Sequence, residues 1–241
     1  MADVATYLLL HGASSDSWYW HRVIPLLRAA GHTVVAPDLP VSDPDAGIPQ
    51  YADAAMAALR DHTDRTNNAH NADDVIVVAQ SFGSFTGTLV TSRIPAKLLV
   101  FVAAMAPREG ETPGQWWEAT GWPQARQEND ARLGLGENPD LKAVFFHDVP
   151  EDVVAQAWER GEVEQSEAPF KSAPMPPLPD IPIRFLAGRD DRFFPIDFQR
   201  RVVPERLGFA PDEMDSGHLP ALAHPEELVH RLEGYRIEAG L

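Results

Sequence analysis

Short hydrophobic runs alternate with stretches of helical periodicity along most of the chain. The continuous hydrophobic runs lie at Tyr7–Leu10, Thr33–Ala36, Val75–Ala79, Leu98–Ala103 and Ile183–Ala187, with a weaker one at Ala210–Met214. Runs without polar interruption are typical of strands that helices cover on both faces. Helical periodicity appears between them, at Trp18–Ala30, Tyr51–His62, Gly83–Arg93, Pro195–Val203 and Pro225–Glu238. The pattern therefore predicts an α/β fold, with a mostly parallel sheet of about six strands flanked by helices.

The alternation is interrupted between residues 108 and 180. Two helical patches lie there, Gly114–Ala131 and Glu151–Arg160, and a proline-dense stretch follows them. Prolines at positions 169, 174, 176, 177, 179 and 182 exclude a helix or a central strand, so we expect a stiff, extended connector. An excursion of this length inside a compact domain is usually functional. We therefore divide the chain into a core of residues 1–107 and 181–241 and a helical lid insertion of residues 108–180.

The strongest chemical signal lies where the third predicted strand ends. The sequence there reads Ala79-Gln-Ser-Phe-Gly83, and a helical pattern follows directly. Small residues two positions before and after Ser81 match a nucleophile elbow of the form Gly-x-Ser-x-Gly, with alanine in place of the first glycine. Such a turn lifts the serine hydroxyl clear of its strand and aims a helix N-terminus at developing negative charge. We predict that Ser81 is a catalytic nucleophile; the alternative is a serine that only caps the helix.

A serine nucleophile needs a base, and the chain offers nine histidines. His218 follows the last predicted strand, so its loop reaches the same edge of the sheet as Ser81, and we predict it as the base. His224 is its rival, but it directly precedes a proline and fits a capping or surface role better. Structural, surface or pocket-lining roles are expected for four of the others: His32, His62, His70 and His147.

The acid that orients the base is expected in the loop after Ile183–Ala187. Asp190 and Asp191 both lie there, with Glu109 as a weaker candidate elsewhere, and the residue pattern leaves the first two open. The order of serine, aspartate and histidine along the chain is that of strand–turn–helix serine hydrolases.

Two backbone amides complete the predicted machinery as an oxyanion hole. The first predicted strand ends in His11-Gly12, and a glycine there lets a backbone N–H turn toward the site. We expect the amides of Ala13 and Phe82 to bind the oxyanion, because the residue after the nucleophile supplies one donor in this architecture.

Composition and charge exclude or disfavour several other classes of function. The chain has no cysteine, which excludes a thiolate nucleophile and cysteine-ligated metals. The formal charge of −16 disfavours nucleic-acid and membrane partners, and without a phosphate-binding loop or metal-ligand motif we expect no cofactor and no metal. Residues 109–167 hold 14 acidic and 4 basic residues, so the charge is concentrated in the predicted lid. An N-terminus without a basic start or a long hydrophobic run predicts a cytoplasmic protein.

Several stretches resemble the α/β-hydrolase fold, and within it the group of small esterases and hydroxynitrile lyases that includes plant methyl-salicylate esterases and their bacterial relatives. The resemblance covers essentially the whole chain and is carried by His11–Ser14 with Trp18 and Trp20, by Pro25–Leu39, by Phe101–Pro107 and by Phe145–Pro150. It implies Ser81 as nucleophile, His218 as base and the two amides named above as oxyanion hole. The family places the acid four residues before Pro195, which selects Asp191 over Asp190.

Two positions distinguish the two activities of this group. Hydroxynitrile lyases carry a lysine after the base and often a threonine before the oxyanion amide, whereas this chain has Leu219 and Gly12. The resemblance therefore implies a serine hydrolase that cleaves a small, partly hydrophobic, neutral ester through an acyl-enzyme. The alternatives are carbon–carbon bond cleavage, as in hydroxynitrile lyases, and a catalytically slow ligand-binding protein.

The substrate pocket is expected where the lid meets the catalytic edge of the sheet. We assign it to Gly12, Ser14, Trp117, Phe146 and Leu219, because ligand pockets are mainly apolar with a few polar groups. A small-molecule ester is the expected partner, and the sequence leaves a homodimer open.

Overall fold

A computed structural model of the protein describes residues 4–66, 74–136 and 138–241. Within these residues six strands form one sheet: β1 (Thr6–Leu10), β2 (Thr33–Val35), β3 (Val75–Gln80), β4 (Ala96–Val102), β5 (Ile183–Gly188) and β6 (Asp212–Met214). They lie in the order β2-β1-β3-β4-β5-β6, and each neighbouring pair runs parallel. The predicted α/β fold, with a parallel sheet of about six strands, is confirmed.

Helices separate these strands along the chain. The described residues form α1 (Val23–Ala29), α2 (Ile48–Thr66), α3 (Gly83–Thr91), α4 (Trp116–Ala119), α5 (Trp122–Leu133), α6 (Leu141–Phe145), α7 (Glu151–Arg160), α8 (Ile196–Leu207), α9 (Pro220–Ala223) and α10 (Pro225–Glu238). Short 3-10 helices lie at Ser17–Trp20 and Ala168–Lys171. In the described ranges, no helix is long and apolar enough to cross a membrane.

Residues of each strand alternate between two hydrophobic cores, one on each face of the sheet. In β3, Val77 and Ala79 belong to the core that α2, α3 and α8 close, whereas Ile76 and Val78 belong to the core that α1 and α10 close. All four side chains are buried. Because helices cover both faces, neither set of alternate positions needs polar residues, and the strands therefore appear as continuous hydrophobic runs.

Prolines and short lengths explain where the helices differ from the predicted ones. The predicted helix Trp18–Ala30 is divided into a 3-10 helix and α1, because Pro25 cannot donate the hydrogen bond that would join them. α8 continues past its predicted end to Leu207, with Pro204 inside it. Pro204 has no N–H to donate to the Arg200 carbonyl, but both residues are exposed, so water can bind that carbonyl. α6 and α9 were not predicted, because so few residues show no helical period.

Four helices, α4 to α7, occupy the segment between β4 and β5 that the sequence assigns to a lid. The predicted patch Gly114–Ala131 is divided at Gly121, whose left-handed backbone separates α4 from α5. The second predicted patch is α7, with the predicted bounds. The return to β5 contains one 3-10 helix and otherwise neither helix nor strand. The role of this segment as a lid, and the division into two units, remain predictions.

Ala79, which replaces the first glycine of the elbow pattern, is accommodated by a glycine on α3. A β-carbon added at Gly87 would lie 2.8 Å from the Ala79 Cβ and 3.4 Å from Leu99 Cδ1. A separation of 2.8 Å lies well inside the carbon–carbon contact distance of about 3.5–4.0 Å, so the two atoms would repel each other. The helix therefore reaches the strand only because one of the two facing positions lacks a side chain.

We predict that Gly87→Ala destabilises the protein, although alanine is the better helix former by about 1 kcal/mol. Overpacking costs about 1–3 kcal/mol, so a net loss of roughly 1 kcal/mol in the free energy of unfolding is expected in urea denaturation. Adding Ala79→Gly removes the clash and should restore part of the loss. A Gly87→Ala protein as stable as the wild type would contradict the contact.

Candidate active site

Ser81 lies in the turn between β3 and α3 with a left-handed backbone. Its φ is 51°, in a region that costs a residue with a side chain about 1–2 kcal/mol. Two hydrogen bonds to the end of β4 hold it there: the Ser81 N–H donates to the Val102 carbonyl (3.1 Å), and the Met105 N–H donates to the Ser81 carbonyl (3.2 Å). The backbone therefore has the strained strand-to-helix geometry that a nucleophile elbow requires.

His218 and Asp191 meet Ser81 at the carboxyl-terminal edge of the sheet. Ser81 Oγ lies 3.0 Å from His218 Nε2, and His218 Nδ1 lies 2.8 Å from Asp191 Oδ2. The exposed fractions of Ser81, His218 and Asp191 are 8%, 3% and 4%. The structure therefore brings the three predicted residues together in one buried chain of hydrogen bonds.

Asp191, rather than Asp190 or Glu109, provides the carboxylate that meets the imidazole. Its Oδ1 accepts hydrogen bonds from the amides of Phe193 (2.8 Å) and Phe194 (2.9 Å), which fix the plane of the carboxylate. The other two candidates are exposed. The sequence pattern leaves Asp190 and Asp191 as alternatives, and the family resemblance selects Asp191. The geometry agrees with that selection.

Gln80, in the same turn as Ser81, is hydrogen-bonded to the backbone of His218. Its Nε2 donates to the His218 carbonyl (3.2 Å), and the residue is buried. Sequence reasoning missed this contact, for which the only signal was the position of Gln80 inside the elbow.

The rival base His224 lies where α10 begins, with its Nε2 3.6 Å from Asp148 Oδ2. Another of the histidines considered, His70, lies outside the described residues.

The amides of Ala13 and Phe82 are free to act as donors, since neither donates a hydrogen bond to another group in the described part of the chain. His11 fixes the first of them: its Nδ1 lies 2.9 Å from the Gly12 carbonyl, which shares a planar peptide with the Ala13 N–H. The Leu39 N–H donates to His11 Nε2 (3.1 Å), so Nε2 is unprotonated and Nδ1–H donates to the carbonyl. The oxyanion role of the two amides remains a prediction.

Three phenylalanine rings enclose the His218 imidazole. The ring centroids of Phe145, Phe193 and Phe194 lie 5.3, 5.2 and 5.1 Å from that of the imidazole, each meeting it nearly edge-on. Trp117, a predicted pocket residue, packs behind Phe193 and Phe194 with centroid distances of 6.2 and 6.4 Å. The rings keep water from the imidazole, and hydrogen bonds in such a low-dielectric setting are electrostatically stronger than in water.

Phe146, another predicted pocket residue, does not contact the His218 ring in the way its neighbour does. It packs against Trp158 at a centroid distance of 4.9 Å, whereas its neighbour Phe145 is the residue whose ring contacts His218. The physical reason is that consecutive residues at the end of α6 project in different directions. Leu219 directly follows His218 and is partly buried, packed against the core that α1 and α10 close.

The other two predicted pocket residues, Gly12 and Ser14, lie in the loop after β1. A β-carbon added at Gly12 would lie 2.9 Å from the Ser81 Cβ, so this loop touches the elbow. Ser14 has a left-handed backbone (φ 50°), and its N–H donates to Gln165 Oε1 (3.2 Å). Gln165 in turn donates to the Tyr51 hydroxyl (3.0 Å). A side chain of the insertion therefore holds the loop that carries the Ala13 amide.

The direction of the hydrogen bonds defines what the arrangement can do chemically. In the neutral imidazole, an Nδ1–H that donates to Asp191 leaves Nε2 without a proton and able to take the proton of the Ser81 hydroxyl. Backbone amides beside the hydroxyl would stabilise negative charge on a carbonyl oxygen. Across residues 4–66, 74–136 and 138–241, no three His, Asp or Glu side chains are placed to hold a metal ion. The expectation of no cofactor remains a prediction.

The chain belongs to the alpha/beta hydrolase family, whose model matches residues 7–231. It is 26% identical over 251 residues to Methylesterase 3 of Arabidopsis thaliana, covering 92% of each chain. It is 30% identical over 109 residues to an alpha-hydroxynitrile lyase of the same plant, covering 44% of this chain and 42% of the other. A solved pyrethroid hydrolase from Sphingobium faniae matches 98% of each chain, with a TM-score of 0.71 and 24% identity. The predicted resemblance and the α/β-hydrolase fold are confirmed.

We predict that His11 makes stability depend on pH. Burial lowers the pKa of His11 below its ordinary value. The unfolded chain therefore binds a proton below about pH 6.5 that the folded chain does not bind. The free energy of unfolding should fall as the pH decreases through this range, by up to about 1.4 kcal/mol per pH unit.

Urea denaturation between about pH 7 and pH 5 measures this dependence. His11→Asn keeps an N–H for the Gly12 carbonyl but does not titrate, so its stability should vary less with pH than that of the wild type. The exposed His230 provides the matched control, His230→Asn, which should keep the wild-type dependence. Equal pH dependence in wild type and His11→Asn would contradict the assignment.

Proposed function

We propose that the protein is a serine ester hydrolase of the carboxylesterase type, acting on a small, partly hydrophobic, neutral ester through an acyl-enzyme. The observation that carries this proposal is the buried chain of hydrogen bonds from Ser81 Oγ through His218 to Asp191, at 3.0 and 2.8 Å. A methylesterase relative that aligns over 92% of this chain supports the reaction class.

In this mechanism Ser81 Oγ attacks the ester carbonyl carbon while His218 Nε2 takes the hydroxyl proton. The amides of Ala13 and Phe82 hold the oxyanion, and Asp191 stabilises the imidazolium. His218 then passes the proton to the alcohol oxygen as its bond to the acyl carbon breaks. Water then attacks the acyl carbon and gives a proton to the same nitrogen. His218 passes that proton to Ser81 Oγ as the bond between Oγ and the acyl carbon breaks, which releases the carboxylic acid and restores the serine.

The surroundings of the site support an uncharged, partly apolar substrate. Aromatic rings surround the imidazole, and ligand sites of this kind bind apolar groups with a few polar contacts. Residues 109–167 carry 14 acidic and 4 basic residues, and a negative field over the site disfavours anionic substrates. A neutral ester therefore fits better than a phosphate ester or a free acid.

A fluorophosphonate probe tests the nucleophile. The probe should label the wild-type protein at Ser81, as located by mass spectrometry, and should not label Ser81→Ala. The same substitution should lower kcat for p-nitrophenyl and methyl esters of varied acyl size by about 10⁴-fold or more. Ser92→Ala, at the exposed end of α3, is the control and should react like the wild type. A correctly folded wild-type protein that stays unlabelled would refute the proposal.

The acid is tested by a matched pair of substitutions in one loop. Asp191→Asn should lower kcat by about 10⁴-fold, because an asparagine amide at Nδ1 favours the wrong imidazole tautomer. Asp190→Asn, at an exposed position, should leave kcat nearly unchanged. Steady-state kinetics on the best ester of the panel measure both, and the reverse pattern would show that the neighbouring carboxylate is the functional one.

Hydroxynitrile lyase activity is the second candidate, favoured by the relative that is 30% identical over 109 residues. Leu219 opposes it, since the resemblance places a lysine there in lyases. A threonine at position 12 would also need space that the structure does not offer, because a β-carbon there would lie 2.9 Å from the Ser81 Cβ. Cyanide release from mandelonitrile without ester turnover would favour the lyase. Tight ligand binding with negligible turnover would indicate a binding protein.

A further inference from the structure

The loop that carries His218 is fixed at its carbonyl groups by the core of the fold. The Asp190 N–H donates to the Ser216 carbonyl (3.1 Å), and the Gln80 side chain donates to the His218 carbonyl (3.2 Å). Gln80 is the last residue of β3, and Asp190 lies two residues after the end of β5. They hold the backbone on either side of Gly217, whose own N–H is satisfied from another part of the chain.

Asp148, in the insertion, accepts that hydrogen bond. Its Oδ2 lies 2.6 Å from the Gly217 nitrogen, across 69 positions of sequence. The Asp148 side chain is 17% exposed, and a short hydrogen bond to a carboxylate is among the stronger ones in proteins. The Gly217 N–H belongs to the Ser216–Gly217 peptide, so this contact fixes the backbone one residue before His218.

The contact between Asp148 and Gly217 is closely packed, and in the described part of the chain it leaves two buried polar atoms without a hydrogen-bond partner. A β-carbon added at Gly217 would lie 2.6 Å from Asp148 Oδ1 and 2.8 Å from His147 Nε2. Both atoms are buried and have no hydrogen-bond partner among the described residues. Burying polar atoms in this way is unfavourable, so packing alone would be better served by apolar side chains.

We propose that Asp148 is a positioning residue for His218, acting through the Gly217 N–H to hold the imidazole where Nε2 reaches the Ser81 hydroxyl. This inference rests on the proposed hydrolase function. The imidazole has little freedom, since its two nitrogens lie 3.0 and 2.8 Å from their partners. A displacement of about 1 Å can cost about 10²-fold in rate. On this proposal the insertion contributes a residue to the catalytic arrangement.

Kinetics of Asp148 variants test the proposal. Asp148→Ala should lower kcat for ester hydrolysis by about 10- to 100-fold and leave KM within about threefold, because Asp148 acts on the base and not on the substrate. Asp148→Asn should keep most of the activity, since its amide oxygen still accepts the Gly217 N–H. The polar neighbours of the carboxylate are His147, the half-exposed His224 and the buried Tyr19. His224→Ala removes one of these neighbours and leaves the hydrogen bond between Asp148 and Gly217 in place, so kcat should stay near that of the wild type.

Two kinetic results would overturn the proposal. If Asp148→Ala keeps the wild-type kcat and only the melting temperature falls, the contact is structural. If Asp148→Asn loses as much activity as Asp148→Ala, the charge matters and the hydrogen bond to Gly217 does not. If Asp148→Ala does not fold, Gly217→Ala strains the same contact from the other side, and a wild-type kcat in that variant would also overturn the proposal.

A measurement without substrate separates this inference from the proposed function. NMR of protein with ¹⁵N-labelled histidine reports the His218 Nδ1–H resonance. Asp148→Ala should shift or broaden that resonance, whereas Asp148→Asn should resemble the wild type. A wild-type protein without ester turnover refutes the hydrolase proposal alone. An unchanged His218 resonance in Asp148→Ala refutes the positioning role alone.

Discussion

The left-handed backbone at Ser81 is the constraint on which the rest of the site depends. Its N–H is bonded to Val102, the last residue of β4, and its carbonyl to Met105 just after β4, so the turn cannot relax without breaking these contacts. Parallel strands bring their carboxyl ends to one edge of the sheet. The loops that carry Asp191 and His218 therefore begin within reach of a serine whose position is already fixed.

Burial then dictates how the polar groups of the site are paired. An imidazole enclosed by aromatic rings has no water to bind, so each of its nitrogens needs a protein partner, and Ser81 and Asp191 supply them. The Asp191 carboxylate, 4% exposed, loses its hydration as well, and three hydrogen bonds replace it. His11 follows the same rule, since both of its nitrogens are bonded to backbone groups and the buried ring stays neutral.

Features with a local physical cause could be predicted from the sequence, and features set by distant contacts could not. Burial on both faces produces the continuous run Val75–Ala79, and close helix approach requires the small residues around Ser81. Asp190 and Asp191 follow the same strand, and only the rotation of the loop backbone decides which one faces inward. Asp148 meets a partner 69 positions away, and such a contact leaves no periodic or motif signal near it.

The acidity of the insertion has two separate physical consequences. Its exposed carboxylates set a negative field around the site, which salt screens and which needs no particular geometry. Its inward-facing carboxylates need partners: Glu111 is paired with the guanidinium of Arg206 at 2.9 Å, so that charge is compensated locally. Asp148 is bonded instead to the neutral Gly217 amide, and the nearby His224 imidazole is 3.6 Å away. A carboxylate held mainly by one backbone N–H is a costly way to fill space. The proposed positioning of His218 would account for that cost, because the same hydrogen bond holds the Ser216–Gly217 peptide one residue before the imidazole.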